Sequence, residues 1–309
     1  MHPTQQKLVL ITAPPASGKT YWIESFFETQ KPKTIIVISP LRALANECKS
    51  KWGEKIHVMT PEEWSMKKNS YEVVIFDEYH LHYYWGDTFR PKMWEVFYEL
   101  SSTAQTTFLL TATLPQFMQE HISLMGCQFD EIIWCNHGNQ KLKNRPARYF
   151  KAASKKWLLD LASLKSNERS CDLIFCQYRT EVFALEKKFQ TLGFNVWSCV
   201  GGEAQALSEK VRTQTPPDFI ICTTVLSHGV NLPVIDRIFF LYPIANIDFW
   251  IQMVARGGRK GERYSVYSLE NPFGIKWNPW INALAISWIS FKMKAIISLR
   301  QIEAWFLKA

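Results

Sequence analysis

The 309-residue sequence contains no Cys-x-x-Cys pair, no low-complexity tract and no short-period repeat. Its seven cysteines, an odd number, stand singly at 48, 127, 135, 171, 176, 199 and 222. That argues against a disulfide framework, and reduced thiols in a cytosol are the simpler reading. His121, Cys127, Cys135 and His137 are zinc-ligand types, but their spacing matches no common zinc pattern, so they read as structural. No run approaches the ~20 apolar residues that a bilayer requires. The longest uncharged stretch near the C-terminus, Trp277 to Phe291, has 15 residues. The Leu8–Ile11 run is too short for a signal-peptide core. The expectation is a cytoplasmic protein without leader or membrane span.

What is present suits a globular chain with a polyanionic partner. Apolar residues make up 47% and charged residues 21%, enough to build real cores. Lys and Arg outnumber Asp and Glu by 36 to 28, a net charge of +8. Such a balance favours nucleic acid or an acidic surface. Aromatics reach 14%, with 13 Trp, and flat side chains also suit base stacking.

Short apolar runs alternate with helix-length segments. Leu8–Thr12, Thr34–Ser39, Val73–Asp77 and Thr107–Thr111 read as strands covered on both faces, with helices near Thr20–Thr29 and Leu41–Lys51. The segment from Asn136 to Arg148 is polar and basic and reads as a linker. The alternation then restarts, with strands at Asp172–Cys176, Asn195–Val200, Asp218–Thr224 and Arg237–Tyr242 and helices near Thr180–Leu192 and Glu203–Arg212. Two α/β units of similar size follow from this pattern. Beyond Asn271, Leu284, Trp288, Phe291, Ala295, Leu299, Ile302 and Phe306 recur at helical steps, with Ile281, Ile289, Met293 and Ile297 beside them. That stripe predicts a helix buried on the chain's own lobes or against a protein partner.

Ala13-Pro14-Pro15-Ala16-Ser17-Gly18-Lys19-Thr20 fits a phosphate-loop pattern with Ala in place of the first Gly. The two prolines remove two donors, so the amides from Ala16 to Thr20 must cradle the phosphates. Lys19 reaches the β- and γ-phosphates, and the Thr20 hydroxyl ligates Mg²⁺. In Val73-Val74-Ile75-Phe76-Asp77-Glu78-Tyr79-His80, the acidic pair ends a buried strand. Asp77 is suited to hold Mg²⁺, and Glu78 to orient and deprotonate an attacking water. ATP and Mg²⁺ are therefore the expected cofactors. Gln252, Arg256 and Arg259 fall at spacings that put them on one face of a helix, a cationic face able to meet the γ-phosphate as arginine fingers do.

The ordered set resembles a superfamily 2 helicase of the DExH kind. Ser39-Pro40-Leu41-Arg42-Ala43-Leu44-Ala45 and Thr60-Pro61-Glu62 resemble its backbone-contact motifs. Thr111-Ala112-Thr113 resembles its coupling hinge, and Thr223–Asn231 and Gln252–Arg259 resemble its last two motifs. The matching span covers about four-fifths of the chain. The resemblance implies two tandem RecA-like lobes, 1–137 and 149–270, with a linker at 138–148 and a helical tail at 271–309. It implies nucleotide contacts at Gly229 and Asn231. His80 is expected to bond Gln252 or the Thr111 segment, and so to couple with Thr111 and Thr113; His82 reads as structural. Nucleic-acid contacts are implied at Arg42, Thr60, Thr113, Gln177, Arg179, Gly201 and Thr223. Only 12 residues precede Ala13, leaving no room for the upstream Gln motif that reads adenine in many relatives. Asn231 stands where many relatives carry Asp, and Ala255 where many carry Gly. The resemblance is to competence translocases and CRISPR-associated helicases, which favours single-stranded or tailed DNA over RNA. The rival expectation is a nucleotide-switched interaction module that unwinds little.

Overall fold

The computed structural model describes residues 6–64, 71–152, 154–164, 171–227, 230–270 and 279–306. Two compact units divide between Lys143 and Asn144. The first comprises β1 (Lys7–Thr12), α1 (Lys19–Gln30), β2 (Ile35–Ile38), α2 (Arg42–Trp52), β3 (His57–Met59), β4 (Val73–Phe76), α3 (Lys92–Ser101), β5 (Thr106–Thr111), α4 (Gln116–Met125) and β6 (Glu131–Asn136). Its strands form one sheet in the order β3-β2-β4-β5-β1-β6, parallel at every pairing.

Continuous apolar runs make this sheet. All four residues of β2 and of β4 are buried, so neither strand shows a wet face. Successive side chains alternate between two cores. Leu8, Leu10, Ile36, Ile38, Val74, Phe76 and Leu109 pack with Val96, Phe97 and Leu100 of α3 and Met118 and Ile122 of α4. Val9, Ile35, Val37, Val73, Ile75 and Leu110 pack with Ile23 of α1 and Ala45, Cys48 and Trp52 of α2. Helices thus cover both faces, and the polar motifs are left at the carboxyl ends of the strands, where open parallel sheets bind ligands.

The second unit comprises β7 (Arg148–Lys151), α5 (Lys155–Ser163), β8 (Cys171–Phe175), α6 (Arg179–Thr191), β9 (Val196–Cys199), α7 (Ala204–Thr213), β10 (Phe219–Cys222), β11 (Ile235–Phe240), α8 (Ile247–Val254), β12 (Ser265–Ser268) and α9 (Pro279–Phe306). Its parallel sheet runs β7-β12-β11-β8-β10-β9. Asp172 lies fully buried within β8, a charge tolerated because the Arg237 guanidinium of β11 grips it through Nε at 3.0 Å and Nη2 at 2.5 Å.

The tail corrects one expectation. Helix α9 meets its unit through Met293 with Ala285, Ile286 and Ile289, and Ser290 accepts a hydrogen bond from Trp157 Nε1 at 2.8 Å. The anticipated stripe points the other way: Leu284 is 71% exposed, Trp288 59% and Phe291 65%, and Ala295 is exposed too. A helix apolar on several sides does not reveal, from spacing alone, which side meets the core. The side chains of Ile281, Ile297, Leu299, Ile302 and Phe306 lie outside the described residues, as do residues 271–278 and 307–309. Among the described residues no helix is long and apolar enough to cross a membrane.

Candidate nucleotide and nucleic-acid site

The phosphate loop leaves β1 with the Ala13 amide donating to Thr111 O and closes when the Ser17 amide donates to Pro14 O. Ala16 takes φ 60°, and Gly18 takes φ 97° with nothing in front of it nearer than the Tyr21 Cβ at 4.0 Å. A side chain at Gly18 would meet backbone strain rather than a clash, so this position requires a left-handed residue. Ala16, Ser17 and Gly18 are exposed, Lys19 and Thr20 half-buried, and α1 begins at Lys19 with its first-turn amides toward the loop. The sequence did not single out Lys143, whose Nζ donates to Ala16 O at 3.2 Å, a second cation against the loop.

The acidic pair sits at the end of β4. The Asp77 amide donates to Ile38 O, and Asp77 Oδ1 accepts the Glu78 amide at 2.9 Å. Burial, and secondarily the charge of Glu78, pushes the Asp77 carboxyl up to about 7, against the opposing pull of Lys19. An ionised acid so poorly hydrated needs a cation. The donor set fits Mg²⁺, which takes one or two carboxylates and completes its shell with water and phosphate oxygens. Thr20 and Asp77 are the protein groups available for it. Among the described residues no three His, Cys, Asp or Glu side chains cluster as a metal cage, and His121 Nδ1 instead lies 2.9 Å from the Tyr83 hydroxyl. Glu78 adopts φ 46°, a left-handed strain that non-glycine residues hold mostly at functional sites.

His80 is fully buried, and its Nδ1 lies 2.9 Å from Thr111 Oγ1. Thr111 Oγ1 already donates to Thr113 O at 2.8 Å, so it can only accept from His80, and His80 carries its proton on Nδ1. This joins the acidic box to the Thr-Ala-Thr segment; Gln252 belongs to the second unit. Thr113 is buried, and its amide donates back to Thr111 Oγ1 at 3.2 Å. His82 is buried as well, with Nδ1 3.2 Å from Tyr79 O; burial drives its pKa down to about 3 and keeps it neutral. Beyond β6, Asn139 caps this region, accepting the Leu114 amide at 2.7 Å and donating to Leu114 O at 2.8 Å.

The remaining first-unit positions lie on adjacent loops. Arg42 is exposed at the first residue of α2. Thr60 is 1% exposed, with its amide donating to Glu63 Oε2 at 2.9 Å. It orders its loop, and the surface there is presented by neighbours. Arg90, also unanticipated, ties both loops: Nε and Nη2 grip Glu62 at 2.8 and 2.6 Å, and Nη1 donates to Pro40 O at 2.5 Å.

In the second unit, Gln177 and Arg179 follow β8, Gly201 follows β9 and Thr223 follows β10, so the three loops share the carboxyl edge of neighbouring strands. Gln177, Arg179 and Gly201 are exposed and Thr223 half-buried. Glu181 accepts the Gln177 amide at 3.1 Å and pairs with Lys155, fixing the start of α6.

The expected helix carrying Gln252, Arg256 and Arg259 is shorter than the spacing suggests. Helix α8 ends at Val254. Gly257 and Gly258 then pack flat on Tyr264, where a Cβ on Gly257 would lie 2.3 Å from Cδ2, and Gly258 turns at φ 67°. Gln252 remains on the helix, 2% exposed, and among the described residues its Nε2 has no hydrogen-bond partner. Arg256 is 3% exposed in the turn, its charge acting on Cys222. Arg259 lies beyond the turn, with Nε reaching back to Ala255 O at 3.4 Å and Nη1 donating to Asn231 Oδ1 at 3.1 Å. Asn231 and Arg259, assigned to different motifs, therefore meet. Gly229 lies outside the described residues.

Residues 153–261 match the family model of the helicase conserved C-terminal domain. Among curated proteins, the chain is 26% identical over 197 residues to the ATP-dependent RNA helicase eIF4A of Schizosaccharomyces pombe, covering 57% of this chain and 45% of that protein. It is 27% identical over 178 residues to the Nucleolar RNA helicase 2-A of Xenopus laevis, covering 54% and 23%. The chain thus spans less than half the length of these relatives. Among solved structures, a variant of S. cerevisiae Dbp5 bound to RNA and ADP BeF3 superposes with a TM-score of 0.69 at 15% identity, covering 94% of this chain and 84% of that one. Mss116p bound to ssRNA and AMP-PNP gives 0.64 at 14%, covering 86% and 66%. At such identities these structures show the fold: two parallel-sheet α/β domains of the RecA-like helicase type. Fold, ordered motifs, curated relatives and the C-terminal-domain match agree, and together they support membership of helicase superfamily 2.

Proposed function

We propose that this chain is an ATP-dependent nucleic-acid helicase or translocase of the DExH kind, working in the cytoplasm on single-stranded or tailed strands. The observation that carries the reading is the pairing, at one edge of one sheet, of an exposed backbone cradle at Ala16–Gly18 with the buried acid Asp77, held near neutrality in its pKa and under the field of Lys19. All seven free cysteines suit a reducing compartment.

In this mechanism the amides from Ala16 to Thr20 and the Lys19 ammonium hold the phosphates, and Thr20 and Asp77 hold Mg²⁺. Bound there, Mg²⁺ supplies neutralisation of charge developing on the phosphate oxygens. Glu78 orients the attacking water and takes its proton. Gln252, Arg256, Arg259 and Asn231 are proposed to complete the site from the second unit when nucleotide draws the units together, with Gly229 as a further nucleotide contact. His80, through Thr111 and Thr113, would pass the state of the acidic box to the strand-contact loops. Arg42, Gln177, Arg179, Gly201 and Thr223 would serve phosphate contact, which gives affinity without sequence choice, while the buried Thr60 would order its loop from within.

Phosphate contact of this kind suits DNA and RNA alike. The motif resemblance favours DNA, whereas the two curated relatives are named RNA helicases. ATPase stimulation by matched single- and double-stranded DNA and RNA decides between them. Glu78→Gln should retain ATP binding and lose turnover by at least ~100-fold; normal turnover in that variant would remove the assigned base. The exposed row Trp280, Leu284, Trp288 and Phe291 favours the second reading, a nucleotide-switched module that docks a protein through its tail. That reading expects ATP turnover unmoved by any strand.

A further inference from the structure

We propose that Trp85 and Phe89 form a shelf on which a base of the bound strand stacks, a subsite separate from the phosphate-contact loops. The inference rests on the nucleic-acid reading above and adds a direct contact with the bases.

A π-helical turn, His82–Gly86, follows the acidic box. Such turns are uncommon and concentrate at functional sites. The chain then curls around the carbonyl of Trp85, which accepts the amides of Thr88, Phe89 and Arg90 at 3.2, 3.2 and 2.9 Å. This holds the Trp85 and Phe89 rings side by side, with centroids 5.7 Å apart and planes at 46°. The neighbours Tyr83, Tyr84 and Trp94 pack against the hydrophobic core. Phe89 is instead 66% exposed, and Trp85 is half-buried with the Arg90 guanidinium 5.5 Å from its ring centre.

One exposed aromatic residue would carry nothing by itself. The position of this pair carries the argument. Arg90, which lies against Trp85, is the same side chain that grips Pro40 O and Glu62. The shelf is thereby fixed to both loops proposed to follow the strand backbone, and a strand tracked by those loops passes beside it. The Glu62 carboxylate is neutralised by Arg90 and held below the usual carboxylate range by that pairing despite its burial, so it presents little repulsion to phosphate. Rings held in place by backbone hydrogen bonds lose little freedom on stacking, and a base has an apolar face to offer them.

The test uses the full chain and single strands on the order of ten nucleotides, with their bases or with an abasic backbone, read by fluorescence anisotropy. The wild-type protein should bind the base-bearing strand about tenfold more tightly than the abasic one. Phe89→Ala should remove that gap by weakening the base-bearing strand alone, with the abasic affinity and the salt slope unchanged. Phe89→Trp should restore it. Because Phe89 is exposed, loss of folding does not confound the result. A wild-type protein that binds both strands but a Phe89→Ala variant that keeps the gap overturns the shelf alone. A wild-type protein that binds neither strand overturns the nucleic-acid reading and the shelf with it.

Discussion

At the scale of single residues, Asp77 makes the sharpest demand on its surroundings. Folded, its carboxyl keeps its proton to about pH 7, because burial and Glu78 both oppose ionisation. In the unfolded chain an Asp releases its proton near 4. Between those values folding takes up a proton, so Asp77 subtracts stability as pH rises through that window. Asp77→Asn removes the buried charge. In nucleotide-free protein the urea midpoint of its first unit should exceed that of the wild type at pH 8, and the gap should shrink steadily as pH falls toward 4. Mg²⁺-nucleotide binding by the wild type should strengthen over the same rise, since the ligand form is the ionised one. A midpoint gap independent of pH would mean that the destabilising charge lies elsewhere. The acidic pair and phosphate loop were legible because an unbroken apolar run ending in Asp-Glu has few structural reasons to exist. Arg90 and Lys143 were not legible, because each acts on a backbone carbonyl, at Pro40 and Ala16, and sequence does not show where a carbonyl points.

At the scale of elements, the strands that sequence revealed are those buried on both faces, such as Ile35–Ile38 and Phe219–Cys222. Three of the four edge strands, β3, β6 and β7, escaped notice, as did the inner strand β12, while the edge strand β9 was read at Asn195–Val200. β6 reads Glu-Ile-Ile-Trp-Cys-Asn with no residue buried, and β7 reads Arg-Tyr-Phe-Lys with only Phe150 buried. An edge strand carries polar groups on its open side, so its pattern fades into that of a loop. The end of α8 shows the opposite case, a signal present and outweighed. Gly257-Gly258 is a stop, but the three- and four-residue spacing of Gln252, Arg256 and Arg259 suggested one continuous helical face. The contact with Tyr264 turns that correction into a prediction. A Cβ at Gly257 would lie 2.3 Å from the Tyr264 ring, and that ring cannot easily yield, because its hydroxyl donates to Asn144 O at 2.8 Å. Gly257→Ala should therefore cost about 1–3 kcal/mol of stability, read from chemical denaturation. It should also shift the turn that holds Arg256 and Arg259, weakening ATP turnover. Full stability in that variant would mean the Tyr264 ring moves aside.

At the scale of the whole molecule, each unit has its own sheet and its own core, so a single two-state transition is not expected. That independence gives a direct test of whether nucleotide is shared. A ligand stabilises whatever binds it in the folded state, by about 2.7 kcal/mol at a concentration of 100 times Kd. If ATP touched only the phosphate loop and the acidic box, a non-hydrolysable analogue with Mg²⁺ would raise the melting of the first unit and leave that of the second in place. If Arg256 and Arg259 also reach the γ-phosphate, unfolding either unit must release the ligand, and both transitions should rise together by several degrees. Arg259 is the residue to change, because it is only partly buried and its neutral replacement leaves Arg256 in the turn. With Arg259→Ala, scanning calorimetry in saturating analogue should show the first transition raised as in the wild type and the second raised by much less. Replacing the analogue with ADP, which lacks the γ-phosphate, should have the same effect on the wild-type protein. Equal upward shifts of the second transition in wild type and variant would mean that Arg259 does not serve the nucleotide, and no shift in either would mean that the cationic turn after α8 does not serve it at all.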